Sequence, residues 1–421
     1  MSRRPERNRR GGVGSPWAAV MPTDIQGASL RGWFRARPGA LAADVTIVAA
    51  SVSNDTLATW SLSNLGVRVD NGDGTVLLTD TATGTTHNIN RAPTNLQAGP
   101  CILDWVLKPG TLSWVQLFLS TGVTIFINLA TATAGTAAGG VTATLLSGAA
   151  GGLQTWRTYG TYVSGNVAVL LSPDGVNTTY AGGTGTVSIG TGATYGPVLT
   201  QQNVSDWKDQ GALGNHATQV TATARPIYRE LDAAGLWVPS GGCCAEIGNA
   251  ADVEKSLNLP AAFYDAFDGD SAPMTVIAVV RRTGTLAADS FGVVRLTGVT
   301  ARRDIGQVDS ATNGYQEVHT DDAAATKTWL STRSASTSKH TLISRNATTE
   351  DLYANGAIDP LCPRDVDVGV QSFTAGIIGA RSRAIHEMAI WSASLTDQEA
   401  WLAAAAMAAR NPGTPLPAKW F

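Results

Sequence analysis

Charged residues are scarce in this chain of 421 residues. Asp, Glu, Lys and Arg make up 15% of it, against roughly 25% of an average soluble domain. Hydrophobic residues reach 43%, so the surface must be formed largely by Thr, Ser, Asn, Gln and Gly. The formal net charge of −3 provides no general attraction to nucleic acid or to an anionic membrane surface. We therefore expect neither as a partner.

Cysteine is also rare. The sequence contains Cys101, Cys243, Cys244 and Cys362, without a C-x-x-C pair or a cluster of Cys and His. A zinc site therefore lacks support. A disulfide between the adjacent residues Cys243 and Cys244 would be strained. We expect four reduced, structural cysteines and no cofactor.

Long apolar runs are absent as well. No stretch approaches the roughly 18 residues that span a bilayer, so membrane insertion is not expected. Residues 1–27 are predicted to form a basic arm and an extended connector, without the apolar segment of a secretory signal. The arm is expected either to stay disordered or to order on assembly as a docking peptide. Its five arginines are Arg3, Arg4, Arg7, Arg9 and Arg10.

Glycine and turn signals are abundant, and they divide the chain into many short segments of alternating hydrophobicity. This pattern predicts an all-β protein with two jelly-roll or β-sandwich domains. The segment 70–74 (DNGDG) predicts a hairpin turn rather than a calcium loop. Residues 131–152 predict loops around one strand at 141–146. The capping box at 396–399 (TDQE) predicts one short C-terminal helix, which the segment 411–413 (NPG) ends.

Three groups of motifs in the second half resemble a known fold. They are VSDWKDQ at 204–210 with GNHATQ at 214–219 and Arg225-Pro226; LYANG at 352–356; and IIGA at 377–380 with IHEMAIW at 385–391 and LTDQE at 395–399. In this order they resemble the opening, the "L-Y-V-N-G" hairpin and the last strand with its "L-T-D-x-E" helix start in the concanavalin A-like, laminin-G-type jelly roll. The resemblance implies a lectin-like sandwich.

The segment 28–36 resembles the opening strand of the same fold ("L-x-x-W-x-x-A"), but it lies far upstream of the rest. In this fold the first strand lies near the last. We therefore predict that a separate domain is inserted after the first strand, which is possible because the ends of an inserted domain lie close together. The predicted division is 1–27 arm and connector, 28–40 first strand, 41–202 inserted sandwich, 203–412 jelly roll and 413–421 tail.

The inserted segment resembles carbohydrate-binding-module-like sandwiches of bacteriophage tail and spike proteins. The resemblance rests on WRTYG at 156–160, TTY at 178–180, and 185–195 with Gly196-Pro197. It implies that exposed aromatic rings bind the C–H faces of sugars. The candidate site residues are Trp156, Tyr159 and Tyr180, with Asp174 and Asn177 as polar contacts. The alternative is that these aromatic residues belong to the core.

Metal binding and catalysis have little support in the sequence. Laminin-G-type sandwiches sometimes hold Ca²⁺ at one rim, and Asp265, Asp268 and Asp270 are candidates for such a site, with a solvated loop as the alternative. No G-x-S-x-G, H-E-x-x-H or P-loop motif occurs. We do not expect an enzyme. If the chain were a glycosidase, Glu317 and Glu387 would be its candidate carboxylates.

These observations predict a non-enzymatic virion protein: a spike, fibre or head-decoration subunit of a tailed phage or phage-like particle. It would lie on the particle surface, attach to other virion proteins through the N-terminal arm and bind host cell-surface polysaccharide. A homo-oligomer such as a trimer would raise the avidity of weak sites. Two alternatives are open: a purely structural assembly protein, and a polysaccharide-degrading glycosidase.

Overall fold

A computed structural model describes most of the chain. The described residues are 19–37, 45–52, 57–66, 68–81, 86–180, 182–231, 244–248, 255–283, 292–308, 314–335, 337–346, 349–354, 357–360, 364–365, 369–379 and 383–420. The predicted docking arginines, and the turn of the predicted hairpin at 355–356, lie outside these residues.

The described elements are almost all strands. The first two strands are β1 (Leu30–Arg35) and β2 (Val45–Ala49). The next thirteen are β3 (Ser61–Ser63), β4 (Val69–Asp70), β5 (Thr75–Thr79), β6 (Asn88–Arg91), β7 (Gly99–Pro109), β8 (Trp114–Ser120), β9 (Val123–Asn128), β10 (Thr133–Ala138), β11 (Thr142–Gly148), β12 (Gln154–Tyr162), β13 (Val167–Ser172), β14 (Thr186–Gly190) and β15 (Val198–Thr200). The remaining strands are β16 (Gln202–Trp207), β17 (Ala217–Thr218), β18 (Ile227–Leu231), β19 (Cys244–Gly248), β20 (Ser256–Leu259), β21 (Gly269–Asp270), β22 (Met274–Arg282), β23 (Val294–Thr297), β24 (Arg302–Val308), β25 (Gly314–Thr320), β26 (Thr326–Ser334), β27 (His340–Asn346), β28 (Thr349–Ala354), β29 (Ala357–Ile358), β30 (Arg364–Asp365), β31 (Val370–Gln371), β32 (Ala375–Gly379) and β33 (Arg383–Trp391). The α-helices are α1 (Gly192–Tyr195), α2 (Ala261–Tyr264) and α3 (Asp397–Arg410).

Two β-sandwiches, one inserted into the other, account for these strands, as the sequence predicts. We call them the outer sandwich (β1, β2 and β16–β33) and the inserted sandwich (β3–β15). One layer of the outer sandwich consists, in spatial order, of β2, β16, β18, β19, β33, β22, β27 and β28. The other layer consists of β17, β20, β32, β23, β24, β25 and β26. Their facing sides bury an apolar core that includes Phe34, Trp207 and Met388.

Strand β1 closes the outer sandwich by pairing with the last strand. Leu30 lies opposite Trp391, and Phe34 opposite Met388, so the predicted pairing of the early strand with the C-terminal sheet is confirmed. The opening motif of the jelly roll holds β1 in place. Asp209 Oδ1 accepts a hydrogen bond from the backbone N–H of Trp33 at 2.8 Å, and Asn215 Nδ2 donates to the carbonyl of Arg31 at 2.7 Å. These motif residues therefore have a structural role.

The helix α3 packs on the outside of the outer sandwich. Its predicted capping box is present: Glu399 N donates to Thr396 Oγ1 at 3.3 Å, and Thr396 N donates to Glu399 Oε2 at 2.8 Å. The two bonds satisfy donors that the first turn would otherwise leave unpaired. Alanines on the buried side of α3 pack together with Trp391 and Leu395.

The start of the inserted sandwich differs from the prediction. The predicted insertion begins at residue 41, but β2 pairs with β16 through Ala49↔Gln202 and Ile47↔Val204. These residues therefore extend a layer of the outer sandwich, whereas Ala50 and Val52 lie in the core of the inserted one. The remainder of the predicted domain division stays a prediction.

The inserted sandwich has a six-stranded layer, ordered β10-β9-β8-β13-β6-β3, and a seven-stranded layer, β11-β12-β7-β14-β5-β4 with β15 beside β7. The predicted hairpin at 70–74 is confirmed by the pairing of β4 with β5. The prediction of a single strand within 131–152 is wrong, because β10 and β11 both form there. Strand β10 is exposed on both faces, so its small residues show no apolar alternation.

Cys101 gives a test of the inserted core. Its side chain is a free thiol, 1% exposed, and burial raises its pKa to about 12. Since the thiolate is the reactive form, we expect Cys101 to resist iodoacetamide at pH 8 in the native protein and to react fully in denaturant. Peptide mapping by mass spectrometry measures this residue separately from the other cysteines. Rapid native labelling of Cys101 would contradict the packing around β7.

Candidate functional site

The three aromatic residues predicted to bind sugar do not form one site. Trp156 is 2% exposed and lies in the core of the inserted sandwich, where its Nε1 donates to Gln154 Oε1 at 2.8 Å. The prediction that Trp156 is exposed is therefore wrong. Tyr159 differs from Trp156 in strand parity, so it is half-buried on the outer side of the seven-stranded layer, between Thr142 and Ile102.

Tyr180 has a structural environment. Its hydroxyl donates to Asp80 Oδ2 at 3.0 Å, and its ring lies 4.6 Å from that of His87. Desolvation, reinforced by Asp80, raises the pKa of Tyr180. Asp80 also accepts hydrogen bonds from the backbone N–H groups of Gly183 and Gly185, at 2.9 and 2.7 Å. Asp80 and Tyr180 therefore fasten the glycine-rich segment before β14.

The two predicted polar contacts, Asp174 and Asn177, lie together on an exposed loop after β13. Asp174 Oδ1 accepts the backbone N–H of Asn177 at 2.8 Å, and Oδ2 accepts Asn177 Nδ2 at 2.7 Å. These hydrogen bonds, that of the Asn177 backbone first, lower the pKa of Asp174. The loop does not meet Trp156. Its Gly175 instead packs on Trp114, where a Cβ atom on the glycine would lie 2.5 Å from Cδ2 of the indole.

Trp114 belongs to a surface that the sequence did not single out. In β8 the residues Val115, Leu117 and Leu119 are fully buried in the core. Because side chains alternate along a strand, Trp114, Gln116 and Phe118 lie on the opposite, outward side, and all three are half-buried. We call the outward side of the six-stranded layer the amide–aromatic face. Its central residues are Asn88, Asn90, Trp114, Gln116, Phe118 and Phe126.

Strand register brings these residues into contact. Gln116 lies opposite Phe126 on one side and Leu170 on the other. Phe118 lies opposite Thr124 and Ala168. Directly opposed side chains in antiparallel strands have Cβ atoms about 5 Å apart. Gln116 therefore lies among the rings of this face, whereas Asn88 and Asn90 on β6 are separated from β8 by Leu170 and Ala168 of β13.

The amides of this face are only partly used within the protein. Gln116 Nε2 donates to Thr124 Oγ1 at 3.1 Å, and Asn90 Nδ2 donates to Asn88 Oδ1 at 2.7 Å. Among the described residues, Asn88 Nδ2, Gln116 Oε1 and Trp114 Nε1 have no protein partner, and none of the three atoms is buried. The face thus offers two donors and one acceptor near the half-buried rings of Trp114 and Phe118.

The candidate calcium ligands do not converge. Asp265, Asp268 and Asp270 are all exposed, and Asp268 Oδ1 accepts the backbone N–H of Phe373 at 2.7 Å. In the part of the chain that the structure describes, no three His, Cys, Asp or Glu side chains are placed to hold a metal ion. The calcium hypothesis for this rim is therefore not supported by the geometry.

The candidate glycosidase carboxylates are both fully buried. Glu387 accepts hydrogen bonds from Trp33 Nε1, Arg410 and Asn411 Nδ2. Glu317 Oε1 accepts the backbone N–H of Gly306 at 3.0 Å. A glycosidase needs two carboxylates that face the sugar across a groove, and these two side chains do not reach solvent. Both are held by the interior of the outer sandwich.

Comparison with known proteins gives little further information. No protein-family model matches the sequence, and none of the curated proteins matches it. Solved structures with similarity include the binding domain of botulinum neurotoxin serotype D, at a TM-score of 0.30 and 10% identity over 46% of this chain and 46% of that one. The botulinum neurotoxin serotype G binding domain has a TM-score of 0.31 and 9% identity, over 47% of this chain and 47% of that one. A botulinum neurotoxin type C structure has a TM-score of 0.30 and 9% identity, over 46% of this chain and 50% of that one. Its description states that cell entry of this toxin depends on interaction with two ganglioside molecules.

The chain thus covers about half or less of each of these domains. Similarity at this level carries no argument about function. Among the described residues, no helix has the length and apolarity that crossing a membrane requires.

Proposed function

We propose that this chain is a non-enzymatic adhesion protein that binds polysaccharide through the amide–aromatic face of its inserted sandwich. The observation that carries the proposal is the outward placement of Trp114 and Phe118 beside Gln116, with Asn88 on the same face beyond Leu170 of β13. Apolar ring faces suit sugar C–H groups, and amides suit hydroxyls, which both donate and accept. In a solvent-exposed layer, half-buried aromatic side chains between amides favour recognition over core packing.

The direct test is a glycan array with the purified full chain and with Trp114→Ala. We expect the substitution to weaken binding at least about tenfold, or about 1.4 kcal/mol, because an anchoring aromatic ring contributes strongly to recognition. Tyr159→Ala is the matched control, since it removes a half-buried ring from the opposite layer. Thermal unfolding of each variant verifies its fold. Equal loss of binding in both variants, or unchanged binding by Trp114→Ala, would refute this site.

We also propose that the protein is a surface component of a tailed-phage-like particle. The support comes from the sequence: an arginine-rich arm suited to docking, two sandwich domains and a largely uncharged polar surface. Deletion of residues 1–14 is expected to abolish incorporation into particles without changing glycan binding. Immunoblotting of purified particles measures incorporation. Absence of the full chain from purified particles would rule out this location.

A second candidate function, assembly without glycan binding, is favoured by one observation. Strand β10 is exposed on both faces, and residues 131–152 contain no charged side chain. Exposed edge strands are usually protected by charges or proline against pairing with another chain. If assembly is the main role, light scattering will show an oligomer that Thr136→Lys disrupts, and no glycan will bind the wild-type chain.

A further inference from the structure

The amide–aromatic face carries no charge. On β3, β6, β8, β9 and β13 the outward residues are all neutral: Ser61, Ser63, Asn88, Asn90, Trp114, Gln116, Phe118, Thr124, Phe126, Asn128, Ala168, Leu170 and Ser172. Arg91, at the end of β6, has the parity of the core residue Ile89, and its Nη1 donates to the carbonyl of Thr59 at 2.8 Å. The face thus presents amides, hydroxyls, aromatic rings and the aliphatic side chains of Ala168 and Leu170.

The charged side chain on the loop beside Trp114 is acidic. Asp174 belongs to the turn whose Gly175 covers part of the indole. Its carboxylate is held by Asn177 and Val176, and these hydrogen bonds lower its pKa, so it stays ionised at neutral pH. Proteins recognise sugar carboxylates, sulfates and phosphates with Arg or Lys, which neutralise the charge and donate hydrogen bonds. Among the described residues of this face, an anionic glycan would find no Arg or Lys, and it would approach Asp174.

From this charge distribution we infer that the ligand of the amide–aromatic face is an uncharged polysaccharide. The inference rests on the proposed glycan-binding function and specifies its ligand class. Hydroxyl groups match the free groups on the face: Asn88 Nδ2 and Trp114 Nε1 donate, and Gln116 Oε1 accepts. Uronic acids, sialic acids and sulfated sugars are excluded from this site.

Two glycines fix the orientation of the Trp114 ring. Gly175 packs against the middle of the indole, and a Cβ atom on Gly135 would lie 2.9 Å from Cζ3 at its edge. A ring held in this way loses little side-chain entropy when ligand binds. Gly175 is therefore a positioning residue for the anchor. Its φ of +77° also favours glycine.

The test of ligand class uses the wild-type chain with dextran and mannan as neutral probes and hyaluronate and alginate as acidic ones. Affinities are measured by calorimetry at low and high NaCl. We expect binding of a neutral probe, with Kd changing less than about twofold between 0.05 and 1 M salt, because screening acts on charge pairs. Salt-sensitive binding of the acidic probes would overturn the inference while leaving the proposed function intact. If none of the four glycans bound, both the inferred ligand class and the proposed glycan-binding function would be overturned.

Two variants refine the test. Gln116→Lys places a cation on the face, and we expect it to gain salt-sensitive binding of hyaluronate while the neutral glycan weakens. Gly175→Ala should raise Kd for the neutral glycan at least about fivefold by displacing the Trp114 ring. Gly151→Ala is its matched control, since Gly151 has a similar φ of +75° but nothing within 4 Å. Both alanine variants should lose thermal stability, and only Gly175→Ala should lose affinity. Equal affinity in the two would contradict the positioning role.

Discussion

Glu387→Gln is expected to lower the free energy of unfolding of the outer sandwich by about 3–5 kcal/mol. Glu387 is fully buried. Its carboxylate accepts hydrogen bonds from Arg410 Nη2 at 2.7 Å, Asn411 Nδ2 at 2.8 Å and Trp33 Nε1 at 3.0 Å. The Arg410 side chain is 4% exposed. The amide keeps the size of the side chain but leaves the guanidinium charge buried without its counter-ion. The resulting penalty exceeds the value of the ion pair itself.

The measurement is equilibrium urea unfolding of the full chain, with hydrogen exchange of β33 amides as the local readout. Asp365→Asn is the matched control, because it breaks the exposed ion pair with Lys327 and should cost less than about 1 kcal/mol. The double variant Glu387→Gln/Arg410→Met should recover part of the loss, since it removes both charges. A loss below about 1 kcal/mol for Glu387→Gln would contradict this account.

Glu387 also helps to hold together β1 and the C-terminal elements, which were predicted as neighbours from the resemblance of residues 28–36 to an opening strand. It joins β33 to Trp33 on β1 and to Arg410 at the end of α3. The motif that suggested the fold supplies Asp209 and Asn215, which bond to the backbone of β1. These contacts depend on residue types at fixed positions, so the sequence records them. Side-chain hydrogen bonds to a distant strand were therefore predictable where they form part of a motif.

The boundary of the inserted sandwich, and which side of its strands faces the core, were harder to predict. Alternation in residues 45–49 indicates a strand, but it contains nothing to identify β16 as the partner. Trp156 and Tyr159 occur in similar sequence, and only the direction of β12 relative to the core decides that the first is buried. Strand parity fixes which residues share a face, whereas the choice of face depends on the partner layer.

The amide–aromatic face illustrates the same limit. Strand β8 reads W-V-Q-L-F-L, so both of its faces contain apolar residues. Such a strand is typical of a fully buried position, and the single Gln116 was the signal that one side meets solvent. The Asp174 loop was selected for its polar residues, but its contribution to the face is Gly175. The contact between Gly175 and Trp114 requires that residue 175 has no side chain, and a glycine in a turn does not by itself indicate such a contact.

His319 gives the second large effect, a loss of stability in acid. It is 1% exposed on β25, opposite Arg303 on β24. Burial, followed by the charge of Arg303, lowers the pKa of His319 well below its ordinary value of 6.5. Arg303 remains cationic at neutral pH, although desolvation lowers its pKa to about 10. At neutral pH the side chain of His319 is therefore uncharged, and its Nε2 lies 3.9 Å from Glu317 Oε2.

The sign of the pH dependence follows from this shift. Below about pH 6.5 the unfolded chain binds a proton at residue 319 that the folded chain does not bind. The contribution of His319 to stability is thus complete above pH 6.5 and is lost as the pH falls, by about 1.4 kcal/mol per pH unit. We expect urea unfolding between pH 7 and pH 5 to show this slope in the wild type. His319→Gln should lower stability at pH 7 and flatten the slope. An identical slope in His319→Gln would mean that acid acts elsewhere in the outer sandwich.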